Sequence, residues 1–223
     1  MTIRALIFDL DGTLVHSLPD LAEAVNELMA ANGLAPHAEP AVASMVGKGV
    51  PVLVQKAFAA HGVIVAGEVL DAHVKTYLGF YEPRATRLTR LFPHVADMVT
   101  ELAKSYRLAV CTNKPTAVSR EIVDSLGIGA DIAVVVGGDS GVPAKPAPDM
   151  LWLVAERLGL AKDEVLMVGD SANDVASAKA AGITVAVVRY GYTDIAADDL
   201  KADFVMDDFR GLPAVLEQLV GRA

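Results

Sequence analysis

The chain opens with an apolar, β-branched run from Ile3 to Phe8, interrupted only by Arg4, and then sets Asp9 and Asp11 on either side of Leu10, with Gly12 behind them. Such a run reads as a buried strand. Residues two apart leave a strand on the same side, so the two carboxylates converge where Gly12 lets the backbone turn. Like charges this close repel unless a cation, a proton or an anionic group in transfer lies between them. Beyond this point the periodicity becomes helical. Ser17, Pro19 and Asp20 mark a helix start with Ser17 as the cap, and Leu21, Val25, Leu28 and Met29 recur on one face until Gly33. Helical stretches follow near Pro40 to Met45, from Pro51 to about His61 and from about Glu68 to Tyr81, and none carries a strand pattern. Residues 15–84 therefore read as an all-helical unit inserted after the first strand of something else.

From Phe92 and Pro93 the rhythm becomes strand and helix in alternation. Apolar strands are expected at Leu108 to Cys111, Ile132 to Val136, Val165 to Val168, Val185 to Val188 and Phe204 to Met206, with amphipathic helices between them that end at Gly127, Gly159 and Gly182. Strands that are apolar throughout, each followed by a helix, predict a parallel sheet covered on both faces. The fold class is α/β: residues 1–14 and 85–223 form the α/β unit, and residues 15–84 are its helical insert.

Charge narrows the possible partners. Acids outnumber bases 28 to 19 for a net charge of −9, and no cluster of Lys and Arg forms a track for a phosphate backbone, so nucleic acid is not an expected partner. An anionic substrate would have to be gathered by a metal or by a few local cations. A lone cysteine, Cys111, excludes an intramolecular disulfide and agrees with a reducing compartment. The opening apolar stretch is cut by Asp9 and Asp11, which is not the pattern of a signal peptide, and no apolar run is long enough for a membrane span. A cytoplasmic protein, monomeric or homodimeric, is the expectation.

In a parallel sheet, ligands bind beyond the carboxyl ends of the strands. The polar clusters of this chain fall at those ends: Asp9 and Asp11 after the first strand, Thr112-Asn113-Lys114 after the second, Gly137-Gly138-Asp139 after the third, and Gly169-Asp170 through Asp174 after the fourth. Lys145 lies between Pro143 and Pro146, ahead of the next helix. Asp9, Asp11 and Asp170 offer hard oxygen ligands suited to Mg²⁺, and no Cys or His cluster favours zinc. The Thr112 hydroxyl and the Lys145 charge suit the oxygens of a phosphoryl group. This combination reads as a phosphoryl-transfer site.

Taken together, Asp9-Leu10-Asp11-Gly12-Thr13, Thr112-Asn113, Lys145-Pro146 and Gly169-Asp170 with Asp174 resemble, in order and spacing, the motifs of the haloacid dehalogenase superfamily of phosphohydrolases. Within that superfamily the chain is most similar to the bacterial phosphoglycolate phosphatases. The shared segments are Pro19-Asp20-Leu21, Gly47-Lys48-Gly49-Val50-Pro51, Cys111 to Pro115, Gly137 to Ser140 and Tyr190-Gly191-Tyr192. One departure is His16, where that group usually has Asp. The resemblance implies a Rossmann-like core and, over residues 15–84, a cap that closes on the site. It also implies Asp9 as nucleophile and Asp11 as general acid and base, with Mg²⁺ held by Asp9, Asp170 and the main-chain carbonyl of Asp11. Thr112, Asn113 and Lys145 would bind phosphate, and Asp174 would support Lys145 or the metal. Gly47, Lys48 and Gly49 are candidates for reading a small phosphorylated metabolite, 2-phosphoglycolate first among them. Another small phosphate ester, pyrophosphate or a phosphomutase reaction would share the same core motifs.

Overall fold

The computed structural model describes residues 2–221. The chain begins with strand β1, Ala5–Phe8, and a short β2, Val15–His16. Helices α1 (Leu18–Ala31), α2 (Glu39–Ala43), α3 (Val50–Ala59) and α4 (Gly67–Tyr81) follow before β3, Arg90–Leu91. Alternation then sets in: α5 (Val95–Leu102), β4 (Arg107–Cys111), α6 (Thr116–Ser125), β5 (Ile132–Val136), α7 (Asp149–Leu158), β6 (Val165–Gly169), α8 (Ala172–Ala181) and β7 (Thr184–Val188). Strand β8 (Phe204–Met206) and helix α9 (Leu212–Val220) complete the chain.

The main sheet is parallel, in the order β5-β4-β1-β6-β7-β8. The chain leaves β1 toward one edge, returns, and continues from β6 toward the other, so the order switches between β1 and β6. That is where a doubly wound sheet opens its ligand crevice. Alternate residues of each central strand enter different cores. Leu6, Phe8, Leu108, Val110, Leu166 and Val168 pack toward α5, α6 and α9. On the opposite face Ala5, Ile7, Ala109, Cys111, Val165 and Met167 pack toward α7 and α8. Side chains alternate across a strand, so continuous apolar runs are what a sheet buried on both faces requires.

Helix α4 packs along α1 and α3, and the apolar residues of these helices are continuous with one of the two sheet cores. Two short connections join the helices to the sheet, and β2 and β3 pair antiparallel within them, Val15 with Leu91 and His16 with Arg90. This pairing is absent from the periodicity, because two residues per strand leave no alternation to detect. It is reinforced by the buried Asp20 carboxylate, which accepts from the Thr89 amide at 2.7 Å, the Thr89 hydroxyl at 2.8 Å and the Leu88 amide at 2.9 Å. Asp20 therefore holds the return segment and takes no part in a capping box. Ser17 makes no side-chain cap either, and its hydroxyl donates to Asp11 instead, at 2.6 Å.

Candidate active site

Strand register brings the separated motifs together. Phe8 stands opposite Val110 on one side and Val168 on the other. The next residue, Asp9, is thus level with the ends of β4 and β6, and its amide donates to the Val168 carbonyl at 2.9 Å. Asp9, Thr112, Lys145, Asp170 and Asp174 are all buried at this edge.

Lys145 is the hub. Its ammonium lies 3.0 Å from Asp9 Oδ1 and 2.6 Å from Asp174 Oδ1, and it donates to the Cys111 carbonyl at 2.8 Å. Its main chain is clamped by Asn113, whose Oδ1 accepts from the Lys145 amide at 3.0 Å and whose Nδ2 donates to the Lys145 carbonyl at 2.9 Å. The same Nδ2 donates to the Gly47 carbonyl at 2.9 Å, and Asn173 Nδ2 reaches that carbonyl at 3.1 Å. The Asn113 side chain is therefore occupied in holding Lys145 and the Gly47 loop. The Thr112 hydroxyl accepts only a long bond from the Lys114 amide, 3.3 Å, which leaves its proton to donate.

Asp170 follows β6 and sits in a backbone cradle. A Cβ on Gly12, whose φ is +87°, would fall 2.5 Å from Asp170 Oδ2, and one on Gly191 would fall 2.2 Å from the same atom. Glycine at both positions lets two loops close around one carboxylate. Its oxygens accept from the Thr13 hydroxyl at 3.0 Å and the Tyr192 amide at 2.8 Å. Asp174, one helical turn later, uses Oδ1 for Lys145 and Oδ2 for the amide and hydroxyl of Ser171, at 3.0 and 2.7 Å, in the capping box of α8.

Asp11 faces away from this cluster. Its carboxylate receives Lys114 Nζ at 2.7 and 3.0 Å and the Ser17 hydroxyl at 2.6 Å. Sequence reasoning assigned no role to Lys114 or Ser17 beside Asp11. The position of Lys114 at the end of β4 was the available signal. Asp139 does not join the site, for its carboxylate braces the start of α6 through the Thr116 amide and hydroxyl at 2.8 and 2.6 Å. Lys48 is exposed, and the Gly47 carbonyl is docked on the core.

The electrostatics follow from crowding. Burial lifts the Asp9 carboxyl to about 6; Lys145 opposes the shift while Asp174 and Asp11 add to it. Burial, with Asp174 and Asp9 alongside, pushes Asp170 well above the usual carboxylate range. Burial alone would lower the Lys145 ammonium, but Asp174 and Asp9 outweigh it and hold its pKa above the ordinary lysine value. Fully ionised, the four carboxylates Asp9, Asp11, Asp170 and Asp174 would exceed the two ammonium groups, Lys114 and Lys145, by two negative charges, a repulsion that adds to burial in raising Asp9 and Asp170 and that a cation would relieve. Oxygens of Asp9, Asp170 and Asp174 lie within 4.8 Å of one another. This buried, all-oxygen, net-negative donor set is suited to a hard divalent cation.

The cleft over the site has two lobes. One, of about 500 Å³, runs under α4 and is lined by Leu21, Val50, Leu53, Tyr77, Tyr81 and Lys114 among others. The second, of about 790 Å³, opens beside Lys48, Lys56, Asp170 and Tyr192. Asp9, Asp11 and Gly47 border both.

Comparison with known proteins agrees with this geometry. The family model for haloacid dehalogenase-like hydrolases matches residues 3–182. A phosphoglycolate phosphatase of Rhodospirillum rubrum is 44% identical over 214 residues, covering 94% of this chain and 89% of the relative. That of Escherichia coli K12 is 39% identical, covering 89% of this chain and 86% of the relative. Among solved structures, a predicted phosphoglycolate phosphatase from Haemophilus somnus superimposes with a TM-score of 0.90 at 32% identity, covering 96% of this chain and 98% of that one.

Proposed function

The chain belongs to the haloacid dehalogenase-like hydrolases and is a phosphoric monoester hydrolase, and from that premise we propose that it hydrolyses 2-phosphoglycolate to glycolate and phosphate, with Asp9 as nucleophile. The observation that carries this reading is the buried Asp9 carboxylate at the switch between β1 and β6, 3.0 Å from the Lys145 ammonium and beside Asp170. Relatives named phosphoglycolate phosphatase support the choice of substrate.

In the first step an Asp9 oxygen attacks phosphorus, the bond from phosphorus to the ester oxygen breaks, and Asp11 gives its proton to the departing alkoxide. In the second, Asp11 takes a proton from water, whose oxygen attacks phosphorus and releases phosphate with Asp9 restored. Lys145 and the Thr112 hydroxyl hold the equatorial oxygens, where charge is spread in the transition state. Lys114 and Ser17 orient the Asp11 carboxyl. Asp174 has both oxygens engaged, so its role is to position Lys145 and the start of α8. The Asp9 and Asp170 side chains, with the main-chain carbonyl of Asp11, would hold Mg²⁺. When bound, that ion supplies the positive charge that lets an anionic nucleophile approach an anionic phosphate. Helices α1 to α4 act as a cap over the cleft and exclude water while the first step proceeds.

The test is phosphate release from 2-phosphoglycolate, glucose phosphates, pyrophosphate and a nucleoside monophosphate, with Mg²⁺ or chelator, for wild type and Asp9→Asn. The expected result is a dominant kcat/KM for 2-phosphoglycolate that both chelator and Asp9→Asn abolish. A different preferred phosphate overturns the substrate, and full activity of Asp9→Asn overturns the mechanism.

A further inference from the structure

Helix α4 carries two tyrosines that have no part in the phosphoryl-transfer steps. Tyr77 and Tyr81 are one turn apart, their rings stack with centroids 5.8 Å apart and planes 9° apart, and both are almost completely buried. Among the described residues, neither hydroxyl has a hydrogen-bond partner. A buried phenol normally finds one, because leaving it unmade forfeits its hydration for nothing in return. Both line the smaller lobe of the cleft, which also borders Asp9 and Asp11. Lys114 is the only cation among the described residues lining that lobe, and its Nζ lies 4.7 Å from the centre of the Tyr81 ring while pairing with Asp11. The rest of the wall includes aliphatic Leu21, Val50 and Leu53.

We propose that the Tyr77 and Tyr81 hydroxyls, with Lys114 beside them, form the subsite that reads the carboxylate of the leaving group. Two donors without partners and a nearby ammonium match the acceptor-only chemistry of a carboxylate, and the aliphatic wall matches the single methylene between it and the phosphate ester. Burial, the largest influence on both phenols, pushes their pKa values well above the ordinary tyrosine value, so they remain neutral donors. Such a site rejects an ester lacking the carboxylate, because that substrate would leave the donors unpaired. The inference rests on the substrate reading above and deepens it by naming the residues that select the acid.

The experiment compares kcat/KM for 2-phosphoglycolate with that for ethyl phosphate, which has no carboxylate, in the Mg²⁺-loaded enzyme. The variants are Tyr77→Phe, Tyr81→Phe and the double variant. Each single change is expected to lower the ratio about tenfold and the pair about a hundredfold, as loss of hydrogen bonds to a charged group implies. Competitive inhibition by glycolate should weaken in parallel, with thermal midpoints held or raised. A wild-type preference for 2-phosphoglycolate that all three variants keep overturns the subsite while leaving the substrate assignment standing. Absence of that preference in wild type overturns the substrate assignment itself, and the subsite with it.

Discussion

The two walls of the cleft are built on opposite terms. On the sheet side the polar groups are already paired: Lys145 contacts two carboxylates and a carbonyl, Asp170 accepts from Thr13 and Tyr192, and Asp174 serves Lys145 and Ser171. On the helical side Tyr77 and Tyr81 are held by ring stacking and the Lys114 contact with the Tyr81 ring, and among the described residues their buried hydroxyls have no hydrogen-bond partner. The difference teaches where each task must be prepared. Phosphoryl transfer needs charges fixed before substrate arrives, since reorganising them during reaction would raise the barrier. Recognition of a leaving group draws on donors without a partner, since a buried hydroxyl gains most when a ligand supplies its hydrogen bond.

The most severe way to break the sheet side is to remove its nucleophile. Asp9→Asn keeps the shape and loses the attacking oxygen, so kcat should fall by about 10⁴-fold or more, as removal of a nucleophile generally does. Steady-state phosphate release measures it. A fall of only a few fold would mean that the paired wall carries structure and not chemistry.

Next is the scaffold beneath it. Asp174→Ala leaves Lys145 without its nearest partner, in a pair whose side chains are 0% and 1% exposed. Breaking a buried pair from one side typically costs about 3–5 kcal/mol. Asp9 remains near Lys145, which places the expectation at the lower end, and the lost capping box of α8 adds about 1 kcal/mol. Urea unfolding should show the drop, together with a loss of activity. A shift below about 1 kcal/mol would show Lys145 to be held mainly by Asn113.

The crowding of carboxylates gives a pH signature. Burial raises Asp9 to about 6 from an ordinary value of 3.8, so the folded protein holds a proton that the unfolded chain releases. Stability from this group is fully present below the unfolded value and is lost as pH rises through about 6. Relative to Asp9→Asn, which cannot titrate there, the metal-free wild type should lose about 2 kcal/mol between pH 4 and pH 7. Added Mg²⁺ should reverse the loss by favouring the ionised form. Parallel stability curves for the two proteins would show that folding does not raise the Asp9 carboxyl.

How much of this was legible in sequence divides along the same line. The sheet and its polar edge could be read because strands announce themselves by apolar runs, and what ends a run is by construction at the edge. Asp9, Thr112, Lys145, Asp170 and Asp174 were found in that way and lie together at that edge. The limits of the method appear at Asp139, which is at the right edge but braces α6, and at Asn113, whose bonds to Lys145 and Gly47 need three separated segments to be known at once. The contact of Lys114 with Asp11 needs the pairing of β1 with β4 to be known, and the placing of Tyr77 and Tyr81 over the cleft depends on how the helical insert docks. That angle is set by long-range packing, and no local periodicity encodes it. Two tyrosines four apart on one helical face read simply as core.

The smallest effect is the sharpest test of the contrast. Tyr77→Phe and Tyr81→Phe each delete one oxygen from a buried site where it has no partner. No intramolecular hydrogen bond is lost, the ring and its stacking remain, and the cost of keeping an unsolvated hydroxyl is removed. Each variant should therefore equal the wild type in stability or exceed it by up to about 1 kcal/mol, a rise in Tm of roughly 2–4 °C for a chain of this size. Differential scanning calorimetry of the ligand-free proteins measures it. A loss of more than about 1 kcal/mol would mean that the hydroxyls already spend their hydrogen bonds within the protein. The helical wall would then be satisfied in the same way as the sheet, and nothing on it would be left to select a leaving group. A gain in stability coupled to a loss of selectivity for the carboxylate ester would establish the opposite: here the fold tolerates unsatisfied donors because the substrate completes them.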